Sequence, residues 1–200
     1  MYVTETLKRA YERVTGHRPS ADQARAAVIR RRVKTFQLKQ SGTIPNNLDV
    51  PVLLYAQAVD LSGANDPAAL LEELFESNDW GSSWRNGIYN YVHYHSGIHE
   101  VLGIARGTAR VQLGGPKGET FDFAAGGVAV LPAGTGHQRL SGSSDLLVIG
   151  AYPPEGTYNL CRGDNPADRD KALTTIPNVP VPASDPVLGK NGPLLKLWRR

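Results

Sequence analysis

Cysteine is nearly absent. Cys161 is the only one in 200 residues, so no disulfide can close within the chain. It is expected to be an inert, partly buried thiol, because nothing in the sequence argues for a nucleophile there. No apolar run reaches the roughly 20 residues of a membrane-spanning helix. The opening stretch, MYVTETLKRAYERV, lacks the apolar core of a secretion signal, and the expected compartment is the cytoplasm. Self-similarity at a fixed period is also missing, which argues for one domain and not an array.

Apolar residues make up 40% of the chain, enough for a real core, and the 21 glycines and 14 prolines suit short strands joined by turns. The net charge of +3 hides an asymmetry: residues 1–34 hold 9 basic and 3 acidic side chains, the remainder 13 and 16. A basic appendage can touch nucleic acid, but basic clusters are mostly solvated helix faces, and no stacking aromatics accompany this one. Nucleic acid and membrane are therefore not the expected partners.

Residues 4–14 carry Leu7, Ala10, Tyr11 and Val14 in one helical stripe, and Gly16 ends it. Ser20 and Gln23 form a capping box for a second helix, expected to run to about Arg32. These two helices read as a basic extension over 1–33, ahead of a main domain over 34–200. Pro51 to Ala58 reads as a strand. Asp66 and Pro67 start an internal helix near 67–77, with Leu70, Leu71, Leu74 and Phe75 on its apolar side. Residues 78–84, with Trp80 and Trp84, read as a loop. Strands are then expected near 88–95, 99–105, 108–113, 119–123, 128–131, 137–140 and 145–151, the spacing of an all-β sandwich or barrel. The proline-rich tail from Ile176 reads as an extended arm whose apolar end, Leu194 to Trp198, packs back on the domain or on a neighbour.

One segment concentrates chemistry. In NYVHYHSGIHEVLGIARG, His93 and His95 are two apart in an expected strand and so share a face with Tyr89 and Tyr91. Glu100 follows the Ser96–Gly97 turn, early in the next strand. In GGVAVLPAGTGHQRL, a tight turn through Pro132, Gly134 and Gly136 delivers His137. Imidazoles and a carboxylate on one wall suit a first-row divalent metal. His99, the neighbour of Glu100, points to the opposite face by strand parity, so it is expected at the surface or around the site and not as a ligand. His99, Tyr91 and Tyr89 are the candidates for moving protons.

These residues resemble the cupin superfamily. Its first motif, G-x5-H-x-H-x4-E-x6-G, is met at Gly87, His93, His95, Glu100 and Gly107. Its second, G-x5-P-x-G-x2-H-x3-N, is met at Gly126, Pro132, Gly134 and His137, with Ser141 in place of the last Asn. The segments IPNN, PVLLY, SWRNG, HYHSGIHEVLG, LPAGTGH, GAYP and DPVLGKNGPLLKLW are similar to one bacterial branch, the YjlB-like cupins. The resemblance implies a single all-β jelly-roll barrel (a double-stranded β-helix), often dimeric. It implies a divalent metal (Fe, Mn, Ni, Zn or Co) held by His93, His95, Glu100 and His137, and a small-molecule substrate or ligand. It does not name a reaction: dioxygenase, isomerase and decarboxylase chemistry all occur on such barrels. The other readings are a metal-assisted binding or sensor protein without turnover, and a regulator that uses the arginine-rich helices on nucleic acid.

Overall fold

Residues 18–199 are described in the computed structural model. Two antiparallel sheets dominate it. The larger has the order β1 (Lys34–Phe36), β2 (Val52–Tyr55), β7 (Val128–Leu131), β4 (Glu100–Arg106), β9 (Leu147–Tyr152) and β3 (Gly81–Asn86). The smaller has the order β6 (Glu119–Ala124), β5 (Thr108–Leu113) and β8 (His137–Gly142). Helices are few and short: α1 (Ala21–Ala26), α2 (Pro67–Glu76), α3 (Pro166–Thr175), a 3-10 turn over Ile176–Asn178, and α4 (Leu194–Leu197). Among the described residues, no helix is long and apolar enough to cross a membrane.

The central strands are apolar on both faces because both faces are covered. In β4, Val101 and Ala105 join α2 in one core cluster, while Leu102 and Ile104 face Ala109, Val111 and Leu113 of the smaller sheet in another. The same split runs through β7, with Val128 and Val130 on the helix side and Ala129 and Leu131 between the sheets. Period-two geometry enforces this division. Gly103 lets the helix sit close, since a Cβ there would lie 2.8 Å from the Phe75 ring. The α2 start follows its sequence signal: Asp66 accepts from the amides of Ala68 and Ala69, and Pro67 opens the helix.

Several sequence expectations need correction. The first expected helix, 4–14, lies outside the described residues. The second has its capping box but stops at Ala26, because the backbone of 27–29 is taken up by pairing with Ala58–Asp60. The segment 78–84 is not all loop: β3 begins at Gly81 and pairs with β9 across a bulge between Gly81 and Trp84. Trp84 is accommodated because its partner is Gly150, where any Cβ would run into the indole. The expected strand over 88–95 is a chain of isolated bridges. His93 exchanges both hydrogen bonds with His137, and Arg139 N–H donates to the Tyr89 carbonyl, so four residue steps on one side face two on the other. No regular ladder survives that mismatch. The helix α3 was not foreseen, although Asn165 and Pro166 repeat the signal read at Asp66 and Pro67. The tail ends in the short α4, and Trp198 is fully buried with its Nε1 donating to the Pro51 carbonyl at 2.8 Å.

Candidate metal centre

Two segments bring the imidazoles together. His93 and His95 lie on the bridged segment before β4, and His137 opens β8 directly across from His93. Each imidazole has its Nδ1 against a backbone carbonyl: His93 on Tyr91 at 3.2 Å, His137 on Thr135 at 3.0 Å, and His95 on Asn159. A carbonyl can only accept, so each Nδ1 carries the proton and each Nε2 presents a lone pair. One ligand atom from each ring lies within 4.8 Å of the others, and all three residues are buried.

Glu100 sits beside this group at the first position of β4. Its Oε2 lies 3.3 Å from His137 Nε2 and 3.6 Å from His95 Nε2. That oxygen is buried and has no hydrogen-bond partner among the described residues. Lone pairs of neutral imidazoles and an unpartnered carboxylate oxygen repel one another unless a cation sits among them, so the donor set fits a divalent metal.

Electrostatics agree with neutral rings. Burial, reinforced by His137, pushes His93 down to about 3. Burial also lowers His95, against the pull of Glu100. For Glu100, burial opposes ionisation, and only positive charge beside it, whether on a protonated ring or on a bound cation, brings the carboxyl below its ordinary value. Neutral imidazoles and an ionised carboxylate are the protonation states that ligation requires.

The relative that bears on family is the uncharacterised protein YjlB of Bacillus subtilis (strain 168). It is 38% identical over 170 residues, covering 85% of this chain and 99% of the relative. The chain belongs to the YjlB family. No family model matches it. Among solved structures, acireductone dioxygenase from Bacillus anthracis, with cadmium in its active centre, overlaps 52% of this chain and 80% of its own at 14% identity and TM-score 0.36. An oxalate decarboxylase of Bacillus subtilis overlaps 58% and 28% at 19% identity and TM-score 0.33. A sugar ketoisomerase from Thermoanaerobacterium thermosaccharolyticum, in complex with TDP, overlaps 46% and 71% at 13% identity and TM-score 0.32. None of these partial overlaps bears on the chemistry of this chain.

Strand parity separates Glu100 from His99. Glu100 lies on the same face of β4 as Leu102 and Ile104, toward the space between the sheets. His99 lies on the other side, its ring tilted at 48° against Trp198 with centroids 4.7 Å apart. It is fully buried, which removes the surface alternative of the two expected for it. The Ala133 N–H donates to its Nδ1 at 2.9 Å, and its Nε2 lies 3.1 Å from the Pro180 carbonyl. Both ring nitrogens are thus engaged by backbone, and His99 does not line the cavity that opens over the imidazoles. Tyr89 and Tyr91 stack on each other at 4.8 Å, and Tyr89 meets the His93 ring edge-on at 5.0 Å. Tyr89 lines the cavity; Tyr91 does not, and instead lies under the Arg162 guanidinium.

The cavity has a volume of about 940 Å³ and is lined by Tyr152, which sequence reasoning passed over, as it did Asn159 behind the His95 ring. Tyr152 ends β9, and continuing the register of Val101 with Ala151 places it across from Glu100. Its hydroxyl takes a hydrogen bond from Trp84 Nε1 at 3.0 Å and is raised above the ordinary phenol range by burial and by Glu100. Asn159 holds the turn before β4: its Oδ1 accepts from the amides of Ser96 and Gly97, its Nδ2 donates to Ser96 Oγ, and its carbonyl takes His95. Gly97 is needed there, since a Cβ would come 2.5 Å from the Thr157 carbonyl oxygen. GAYP in the sequence marked Tyr152 only as part of a family resemblance. Nothing local marked Asn159, 64 residues from His95.

Proposed function

We propose that the two sheets form a cupin jelly-roll barrel and that His93, His95, His137 and Glu100 hold one divalent metal ion in it. The supporting observation is the set of the rings: three Nδ1 atoms are tied to carbonyls, one ligand atom of each ring lies within 4.8 Å of the others, and the Nε2 atoms of His95 and His137 stand beside a buried carboxylate oxygen that lacks a donor. Three nitrogens and one oxygen suit iron, manganese, nickel, zinc or cobalt and leave positions open in a five- or six-coordinate ion.

On this reading the protein is a metal-dependent enzyme acting on a small polar organic molecule that enters the cavity beside Tyr89 and Tyr152. When bound, the metal supplies Lewis acidity, polarising a substrate oxygen or activating water. The chain's own groups do the rest. The Thr135, Tyr91 and Asn159 carbonyls orient the imidazoles, the Trp84–Tyr152 pair stands beside Glu100, and the buried walls limit access of bulk water. Binding without turnover remains the rival reading, and assays on metabolites retained by the metal-loaded chain discriminate the two.

Metal analysis of protein purified without added metal tests the proposal. Close to one ion per chain is expected, and the triple variant His93→Ala, His95→Ala, His137→Ala is expected to hold none. One ion per chain retained by that variant would overturn the assignment.

A further inference from the structure

The cavity over the imidazoles carries polar chemistry that the metal does not use. Glu155 lines it, two prolines beyond the end of β9. Its Oε2 is buried and has no hydrogen-bond partner among the described residues. An uncompensated carboxylate oxygen is costly, and a cation or a donor from a ligand relieves it. The protein does not supply one. Among the described residues, Arg85 is the only lysine or arginine lining the cavity, and its guanidinium is fully engaged: Nε and Nη2 on the two oxygens of Glu72, and Nη1 on Asp66, each at 2.8 Å.

The neighbouring walls are aromatic. Trp84, Tyr152 and Tyr158 all line the cavity. The Tyr152 and Tyr158 rings meet at 71° with centroids 5.4 Å apart, and Tyr158 also lies 4.9 Å from the His95 ring. The pair is edge-to-face, and aromatic rings beside a carboxylate that lacks an ion pair favour an alkylammonium group over an anion. Tyr158 is 53% exposed, so this corner stands toward the mouth of the cavity. A carboxylate or phosphate at the same place would meet Glu155 and, among the described residues, no available cationic side chain.

Resting on the metal reading above, we infer that the cavity takes a small organic cation that also carries an oxygen donor. The ammonium group lies against Glu155 and the Tyr152–Tyr158 corner, and the oxygen faces the imidazole cluster.

Calorimetric titration with choline and with its uncharged isostere 3,3-dimethylbutan-1-ol tests the charge preference, because the two differ in charge and hardly in shape. The full chain is titrated with and without bound metal, after its metal content has been measured. Choline is expected to bind about tenfold more tightly than the isostere. Glu155→Gln is expected to remove that preference while leaving metal content and isostere binding unchanged. Equal binding of the two probes, binding of neither, or an undiminished preference in Glu155→Gln would overturn the inference. A chain that loads no metal but still prefers choline would defeat the metal reading alone, so the two failures are distinguishable.

Discussion

Adjacent residues on β4 divide the chemistry of the molecule between them. Glu100 faces the imidazoles, and His99 faces the core under Trp198, because alternate side chains of a strand point to opposite faces. Substitution separates the roles. Glu100→Gln is expected to weaken metal binding strongly, measured by metal titration. His99→Ala is expected to leave metal stoichiometry intact and to cost about 2–3 kcal/mol in a denaturant melt, since it opens a cavity and strips partners from buried backbone. A greater loss of metal affinity in His99→Ala would reverse the assignment. The depressed His93 and His95 also set a pH dependence in metal-free protein. The unfolded chain protonates them near pH 6.5, whereas the folded state keeps His93 neutral down to about 3. Below pH 6.5 the unfolded state therefore binds more protons, so stability is full above that pH and is lost as the pH falls toward 3. Thermal melts from pH 7 to pH 4 should show this decline, and His93→Gln should flatten it. A flat profile in the parent protein would contradict the neutral-ring arrangement.

At the scale of elements, the strand that carries the site is positioned from behind by a helix. Gly103 lies opposite Phe75 of α2, and the space between them is too small for a methyl group. Gly103→Ala is expected to push α2 away from β4 and destabilise the fold by about 1–3 kcal/mol, the usual cost of overpacking. Unchanged stability in urea would show that the Phe75 ring yields freely. The segment before β4 shows the converse case. Its backbone is held by single bridges to β8 and to Cys161 and not by a continuous ladder, so the local pattern of alternating residues did not suffice to make a strand. What keeps His93 and His95 pointing inward is the set of carbonyls behind their rings.

For the whole molecule, the question is how far the basic amino-terminal segment belongs to the domain. Both sheets and all four proposed ligands lie within residues 34–200. Yet Ala24 is fully buried in the main core cluster, and the buried Arg18 bonds Glu73 at 2.8 Å and Glu76 at 2.7 Å on α2. A chain starting at Thr35 is therefore expected to fold and bind metal, but with a lower melting temperature, because α2 loses apolar cover and a buried cation. Circular dichroism melts with metal analysis check this. An unfolded product would make the segment an integral part of the fold.

Composition, turn residues and period-two alternation were enough to read an all-β domain, most strand positions, the α2 cap and the four proposed ligands, because each of these is written in spacings of a few residues. The fixed intervals from Gly87 to Gly107 and from Gly126 to His137 carried the family resemblance for the same reason. Tertiary structure alone decided what depends on contacts across the chain. Pairing with Ala58–Asp60 ended α1, and Gly150 made room for Trp84 and hence for β3. Trp198 drew His99 into the core, and Asn159 fixed the ring of His95 from 64 residues away. Burial and long-range hydrogen bonding are properties of the packed chain, and no local pattern encodes the partner that will supply them.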